Sequence, residues 1–82
     1  MKSNFEKIYV LAPYNFATGG VELAHQLVDI INNNGGNGFI VYVDNGVIIK
    51  TNDVTPQYKK YNIKIASEIE DKNSNFLVII TS

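Results

Sequence analysis

Apolar residues in this chain gather into short runs with different rhythms. Lys7 to Ala12 (KIYVLA), Gly38 to Val43 (GFIVYV) and Phe76 to Thr81 (FLVIIT) are nearly continuous, the pattern of strands buried on both faces as in a parallel sheet. Ile63 to Ile69 alternates in part and predicts an outer strand. Val21 to about Asn33 has a helical period. At about 100° per residue, Glu22, His25, Gln26 and Asp29 share one narrow polar arc, with Leu23, Ala24, Leu27, Val28, Ile30 and Ile31 opposite. Pro13 to Gly20 reads as a loop before this helix, and Gly35-Gly36 as its stop. The run Asn32-Asn33-Asn34 is expected to fray. Asp44-Asn45-Gly46 is a turn signal that makes Val47 to Lys50 a candidate short hairpin strand. Pro56 to Tyr61 is expected to be a loop or one helical turn.

Strand, helix and strand in this order form a right-handed βαβ unit with parallel strands. The expected fold is α/β, a partial Rossmann-like parallel sheet of about four strands in order 3-2-1-4 with one main helix. It occupies residues 1–82 as one domain, with Phe76 to Thr81 as a central buried strand. One helix cannot cover both faces of such a sheet. An uncovered apolar face is therefore expected, to be closed by more chain, by a partner subunit or by self-association.

Composition narrows the chemistry. The formal net charge is −1 and all seven basic residues are lysines. Without arginine, the preferred fork for phosphate and carboxylate is missing, and no strong field draws in nucleic acid or an anionic membrane. The absence of cysteine excludes disulfides, thiolate metal sites and thiol nucleophiles. No apolar run is long enough to span a bilayer, and the polar start does not lead into a signal-peptide core, so a cytoplasmic location is expected. The chain has no G-x-G-x-x-G after its first strand, no P-loop and no H-E-x-x-H, and no cofactor or metal is expected.

The turn Thr18-Gly19-Gly20 is where chemistry is expected. Ligands of open α/β sheets sit beyond the carboxyl ends of the strands, and glycines at a helix start let a ligand reach bare N–H groups. The plainer reading is that the glycines permit a tight turn and close helix packing. Glu22 in the first helical turn repels an anion, and it suits sugar hydroxyls better than a phosphate. His25, one turn on, is either a ligand contact or acid/base, or a solvated boundary residue. The residues favour the latter because no carboxylate partner is fixed by spacing. Asp44 could hold ribose hydroxyls, but is better read as a turn residue. Tyr58, Lys59, Lys60 and Tyr61 read as a solvated loop.

The block Ala17-Thr18-Gly19-Gly20-Val21-Glu22-Leu23-Ala24-His25-Gln26-Leu27-Val28 resembles bacterial glycosyltransferases of polysaccharide biosynthesis, whose first strand leads into Ala-Thr-Gly-Gly-x-Glu and a helix bearing Leu-x-His-Gln-Leu. A looser likeness continues through Gly38 to Val43, Pro56 to Tyr61 and Phe76 to Ile80. The resemblance implies a metal-independent transferase of two Rossmann domains, the first mainly holding the glycan acceptor and the second the nucleotide-sugar donor. It places Thr18, Gly19, Gly20, Glu22 and His25 in a ligand-binding motif facing the interdomain cleft. The second domain is not within these residues, so the chain is expected to be an N-terminal fragment, inactive alone. Two other readings stand beside it. One is a non-catalytic binding module for a sugar or nucleotide, and the other is half of a dinucleotide-binding oxidoreductase.

Overall fold

The computed structural model describes residues 5–14, 19–54 and 56–80. The first apolar run forms β1 (Lys7–Pro13), the periodic stretch forms α1 (Gly19–Asn33), and the second apolar run forms β2 (Gly38–Asp44). β1 and β2 pair in parallel from Ile8↔Gly38 to Pro13↔Val43, so the helix is the crossover of a βαβ unit. A two-residue strand β3 (Val47–Ile48) turns back antiparallel on β2, and β4 (Asn75–Ile79) pairs in parallel with β1. The described residues thus form a mixed sheet in the order β3-β2-β1-β4 with one helix, a partial α/β Rossmann-like fold.

Local chemistry explains the boundaries. α1 begins two residues earlier than the periodicity suggests, because both glycines are already helical. It stops where Gly35 takes φ 87°, a left-handed conformation that costs glycine little. The Gly36 N–H then bonds the Ile31 carbonyl at 2.8 Å, the long-range bond of a Schellman cap. The expected fraying of the asparagine run does not occur. Asn32 brackets Gly38, its Oδ1 accepting from the Gly38 N–H at 2.7 Å and its Nδ2 donating to the Gly38 carbonyl at 3.1 Å. Asn33 donates to Asp29, and Asn34 to the Ile30 carbonyl. Side-chain amides that bond nearby backbone replace the water that a frayed end would need. After β2, Asn45 (φ 50°) and Gly46 (φ 77°) make the two left-handed residues of a tight hairpin turn, as Asp-Asn-Gly predicts.

The core lies between α1 and one face of the sheet. Ile8, Val10 and Ala12 of β1 and Ile40 and Tyr42 of β2 meet Ala24, Val28 and Ile31 of α1. On the other face Tyr9 and Val41 are also buried. Among the described residues no helix covers them. The segment from Ile65 to Lys72 runs beneath instead, and the Glu70 N–H donates to the Tyr9 hydroxyl at 3.2 Å. At the amino ends of the strands, Lys7 pairs with Glu70, and Lys72 reaches Glu6 at 3.4 Å and Glu70 at 3.5 Å. The Ser74 hydroxyl and Lys72 hold the Glu6 carboxyl below its ordinary range, and Lys7 does the same for Glu70. These groups are water-exposed, so the pairs are weak ties.

Two strand expectations need correction. The stretch Ile63 to Ile69 is not a strand. It touches the sheet through one parallel bridge, Ile40↔Ile65, held by Ile40 N–H to the Lys64 carbonyl and Ala66 N–H to the Ile40 carbonyl. The bridge lies at the outer edge of β2, and the chain then leaves the sheet to pass under Tyr9. The last apolar run is not central either. β1 holds the centre, and β4 lies at the edge with Phe76, Leu77 and Ile79 about half exposed (46%, 45% and 61%). Among the described residues, large apolar side chains are exposed on this strand, and also at Leu23 and Ile30 of α1 and at Val47 of β3.

Candidate functional site

β1 is the strand where the fold changes direction. Its exit leads through α1 towards β2, while β4 lies on its opposite side, so the switch in strand order falls between β1 and β4. Open α/β sheets leave a crevice at such a point. Here a cleft of about 370 Å³ opens at the carboxyl ends of the strands, walled by Leu11, Pro13, Val43, Asp44, Asn45 and Ile79. Its floor is aliphatic and its rim carries the Asp44 carboxylate. Among the described residues, no lysine lines the cleft.

The predicted turn stands beside this crevice rather than in its wall. Thr18 lies outside the described residues. Gly19 and Gly20 open α1, and neither has a positive φ. A Cβ built on Gly19 would meet nothing within 4 Å. Among the described residues, neither a left-handed backbone nor tight packing requires glycine at 19, and the turn that precedes it lies outside them. Gly19 there presents bare backbone at a helix start. Glu22 occupies the first turn as expected, but its carboxylate turns along the helix to accept from the Tyr61 hydroxyl at 3.2 Å.

His25 corrects the expectation of a solvated boundary residue. It is fully buried, at 0% exposure. Nδ1 lies 2.7 Å from the Val21 carbonyl and Nε2 lies 2.7 Å from the Tyr42 hydroxyl. A carbonyl can only accept, so in the neutral ring Nδ1 carries the hydrogen and Nε2 accepts from Tyr42. The ring stacks on Tyr58 with centroids 4.0 Å apart, and Tyr42 flanks it at 5.6 Å. Burial pushes its pKa below the ordinary 6.5, opposed in part by the bond to Val21.

The helix's polar arc is thus not its solvent face. Residues 58–62 cover it. Gln26 donates to the Tyr61 hydroxyl at 3.3 Å, and Asp29 accepts from the Asn62 N–H at 2.7 Å. Tyr58 closes a single 3₁₀ turn, Pro56–Tyr58, within the loop or helical turn expected there. The structure brings Glu22 and His25 together with Tyr42, Tyr58 and Tyr61, and leaves Asp44 in the separate crevice. Tyr58 was expected in a solvated loop and is 2% exposed. The available signal was two tyrosines three residues apart in an otherwise polar stretch, the spacing of a one-turn aromatic anchor. Asp44 is the turn residue it was expected to be, and it also rims the crevice.

Among the described residues no group of three or more His, Asp or Glu could hold a metal ion, and no helix is long and apolar enough to cross a membrane. Compared with family models, with curated proteins and with solved structures, the chain has no significant match.

Proposed function

We propose that this chain is the acceptor-side Rossmann-like domain of a glycosyltransferase that moves a sugar from a nucleotide-sugar donor to a glycan acceptor. It does not catalyse transfer by itself, because the donor is held by a second domain outside these 82 residues. The observation that carries the reading is Gly19. It opens the helix of the Ala17–Val28 block, and nothing in the described fold requires a glycine there. A ligand approaching the first-turn N–H groups would require it. The first-turn carboxylate of Glu22, which accepts from the Tyr61 hydroxyl, suits hydroxyl groups better than a diphosphate. The half-exposed surface of β4 is the contact through which such a domain would meet further chain or a second copy.

The test is an amide-shift titration of the isolated chain with neutral oligosaccharides and, separately, with UDP- and GDP-sugars. Oligosaccharides should perturb Gly19 to Glu22 at millimolar concentrations, and Gly19→Ala should abolish the shifts without loss of stability. Sugar nucleotides should bind weakly or not at all. Micromolar nucleotide binding that Gly19→Ala removes would replace this reading with that of a free-standing nucleotide-binding module. No response to either ligand class would leave the glycosyltransferase reading without support.

A further inference from the structure

The 56–62 segment is fastened to α1 in an unequal way. Its backbone–backbone bonds among the described residues are its own, Lys59 N–H to the Pro56 carbonyl and Tyr61 N–H to the Tyr58 carbonyl. Every tie to the helix involves a side chain: the Tyr61 hydroxyl donates to Glu22 and accepts from Gln26, the Asn62 N–H donates to Asp29, the Asn62 carbonyl accepts from Asn32, the Asn62 amide donates to Asn33, and Tyr58 stacks on His25. At the Nε2 edge of the imidazole stands Tyr42, fixed in a strand whose residues 38–43 pair with β1. The histidine therefore lies between a strand held by a backbone ladder and a segment held to the helix only by bonds that involve side chains.

We propose that protonation of His25 releases residues 56–62 from α1, which makes this segment a pH-sensitive flap over the polar side of the helix. The added proton goes to Nε2, the atom that accepts from Tyr42. The Tyr42 hydroxyl must then turn its hydrogen away and accept instead. The imidazolium is left in a fully buried site without a carboxylate partner among the described residues. Among the described residues, the groups around it are these. Its own helix offers Glu22, whose carboxylate is engaged by Tyr61. β2 offers the Tyr42 hydroxyl, with Tyr14 from the end of β1 packed edge-on against that ring. The flap offers Tyr58 and Tyr61, and the Lys60 ammonium lies 5.2 Å from the Tyr61 ring centre. None supplies a fixed negative charge in contact with the ring. Opening the flap hydrates the charge and leaves the sheet intact, whereas moving Tyr42 would break β2 from β1. The depressed affinity of the buried ring for protons agrees with this direction.

The experiment follows the His25 Cε1–H resonance of the full chain from pH 8 to pH 4.5, together with backbone amide shifts and hydrogen-exchange protection. His25 should titrate below 6.5 with the same midpoint as the Tyr58, Tyr61 and Asn62 amides, while Val10 and Ile40 stay unchanged. Corrected for intrinsic exchange, protection of Tyr61 and Asn62 should fall about tenfold per pH unit through that range, the slope for one linked proton. Asp29→Asn weakens the acceptor for the Asn62 N–H at an exposed position. By linkage it should raise the His25 midpoint towards 6.5. His25→Gln should leave the flap insensitive to pH. The proposal is overturned if His25 titrates at or above 6.5 with the flap closed, as an imidazolium stabilised by its Tyr58 stack would. It is equally overturned if β1 and β2 amides move with the flap, if His25 does not titrate by pH 4.5, or if Asp29→Asn leaves the midpoint where it was.

Discussion

The two flanks of α1 reverse the usual expectation for a surface helix. On one flank Leu23 and Ile30 are apolar and more than half exposed, at 55% and 53%. On the other, Glu22, Gln26 and Asp29 are polar and are met by Tyr61 and Asn62. Both flanks border the same buried stripe of Val21, Ala24, Val28 and Ile31. The difference comes from what the rest of the chain can bring to each side. A tyrosine hydroxyl and a backbone N–H can satisfy carboxylates and an amide at a partly buried contact, so a polar flank can be covered at little cost. An apolar flank needs an apolar neighbour, and beyond α1 the sheet offers only the edge strand β4. Polarity along a helix thus shows what kind of neighbour a flank needs, while the topology decides whether that neighbour is there.

The largest expected effect on this contrast comes from the residue at the border of the covered flank. His25→Ala removes a fully buried ring, its hydrogen bond with the Tyr42 hydroxyl and the stacking partner of Tyr58. A loss of about 3 kcal/mol is expected from the cavity and the lost hydrogen bond together, read by urea denaturation. A cost below about 1 kcal/mol would mean that the covered flank does not depend on its aromatic anchor.

Acid should act next most strongly, in the same place. The His25 pKa is depressed in the folded chain, so the unfolded chain binds the proton more readily. Its contribution is fully present above 6.5 and is lost as pH falls from there through the depressed value. The slope is at most about 1.4 kcal/mol per pH unit. Denaturation midpoints at pH 7.5 and 5.5 check this, and His25→Gln should flatten the difference. Smaller still is Tyr61→Phe, which keeps the ring and removes the hydroxyl shared by Glu22 and Gln26. A loss of about 0.5–1 kcal/mol is expected in thermal melts. At the bottom of the scale, Leu23→Lys on the uncovered flank should change stability by no more than about 0.5 kcal/mol. A larger loss would mean that Leu23 is covered in solution, and sedimentation velocity would show whether a second copy covers it.

The strands and the helix were legible because each carries a local signal. KIYVLA and GFIVYV are continuous apolar runs that became strands buried on both faces, and Gly35-Gly36 and Asn45-Gly46 end their elements through left-handed backbone. The position of FLVIIT in the sheet was not legible. An apolar run reports that a strand can be buried, and the depth it reaches depends on neighbours that the run does not encode. The fate of the asparagines was hidden for a related reason. Asn32 and Asn33 are held by Gly38 and Asn62, which only the folded chain brings near. At the candidate site, the place of Gly19 and Glu22 followed from helix geometry. The burial of His25 did not, because it needs Tyr42 and Tyr58 from two separate segments, and a helical wheel shows neither.

The outer edge of β2 is shared by two short pieces. The Ile49 N–H bonds the Tyr42 carbonyl after the hairpin, and the Ile65 bridge takes both backbone groups of Ile40. Neither piece is long or regular enough to template a further strand, a common way for native sheets to seal an edge. Among the described residues, β4 is the longer and more regular edge of the sheet, and a strand added there would extend the sheet on the crevice side and add a wall to the cleft.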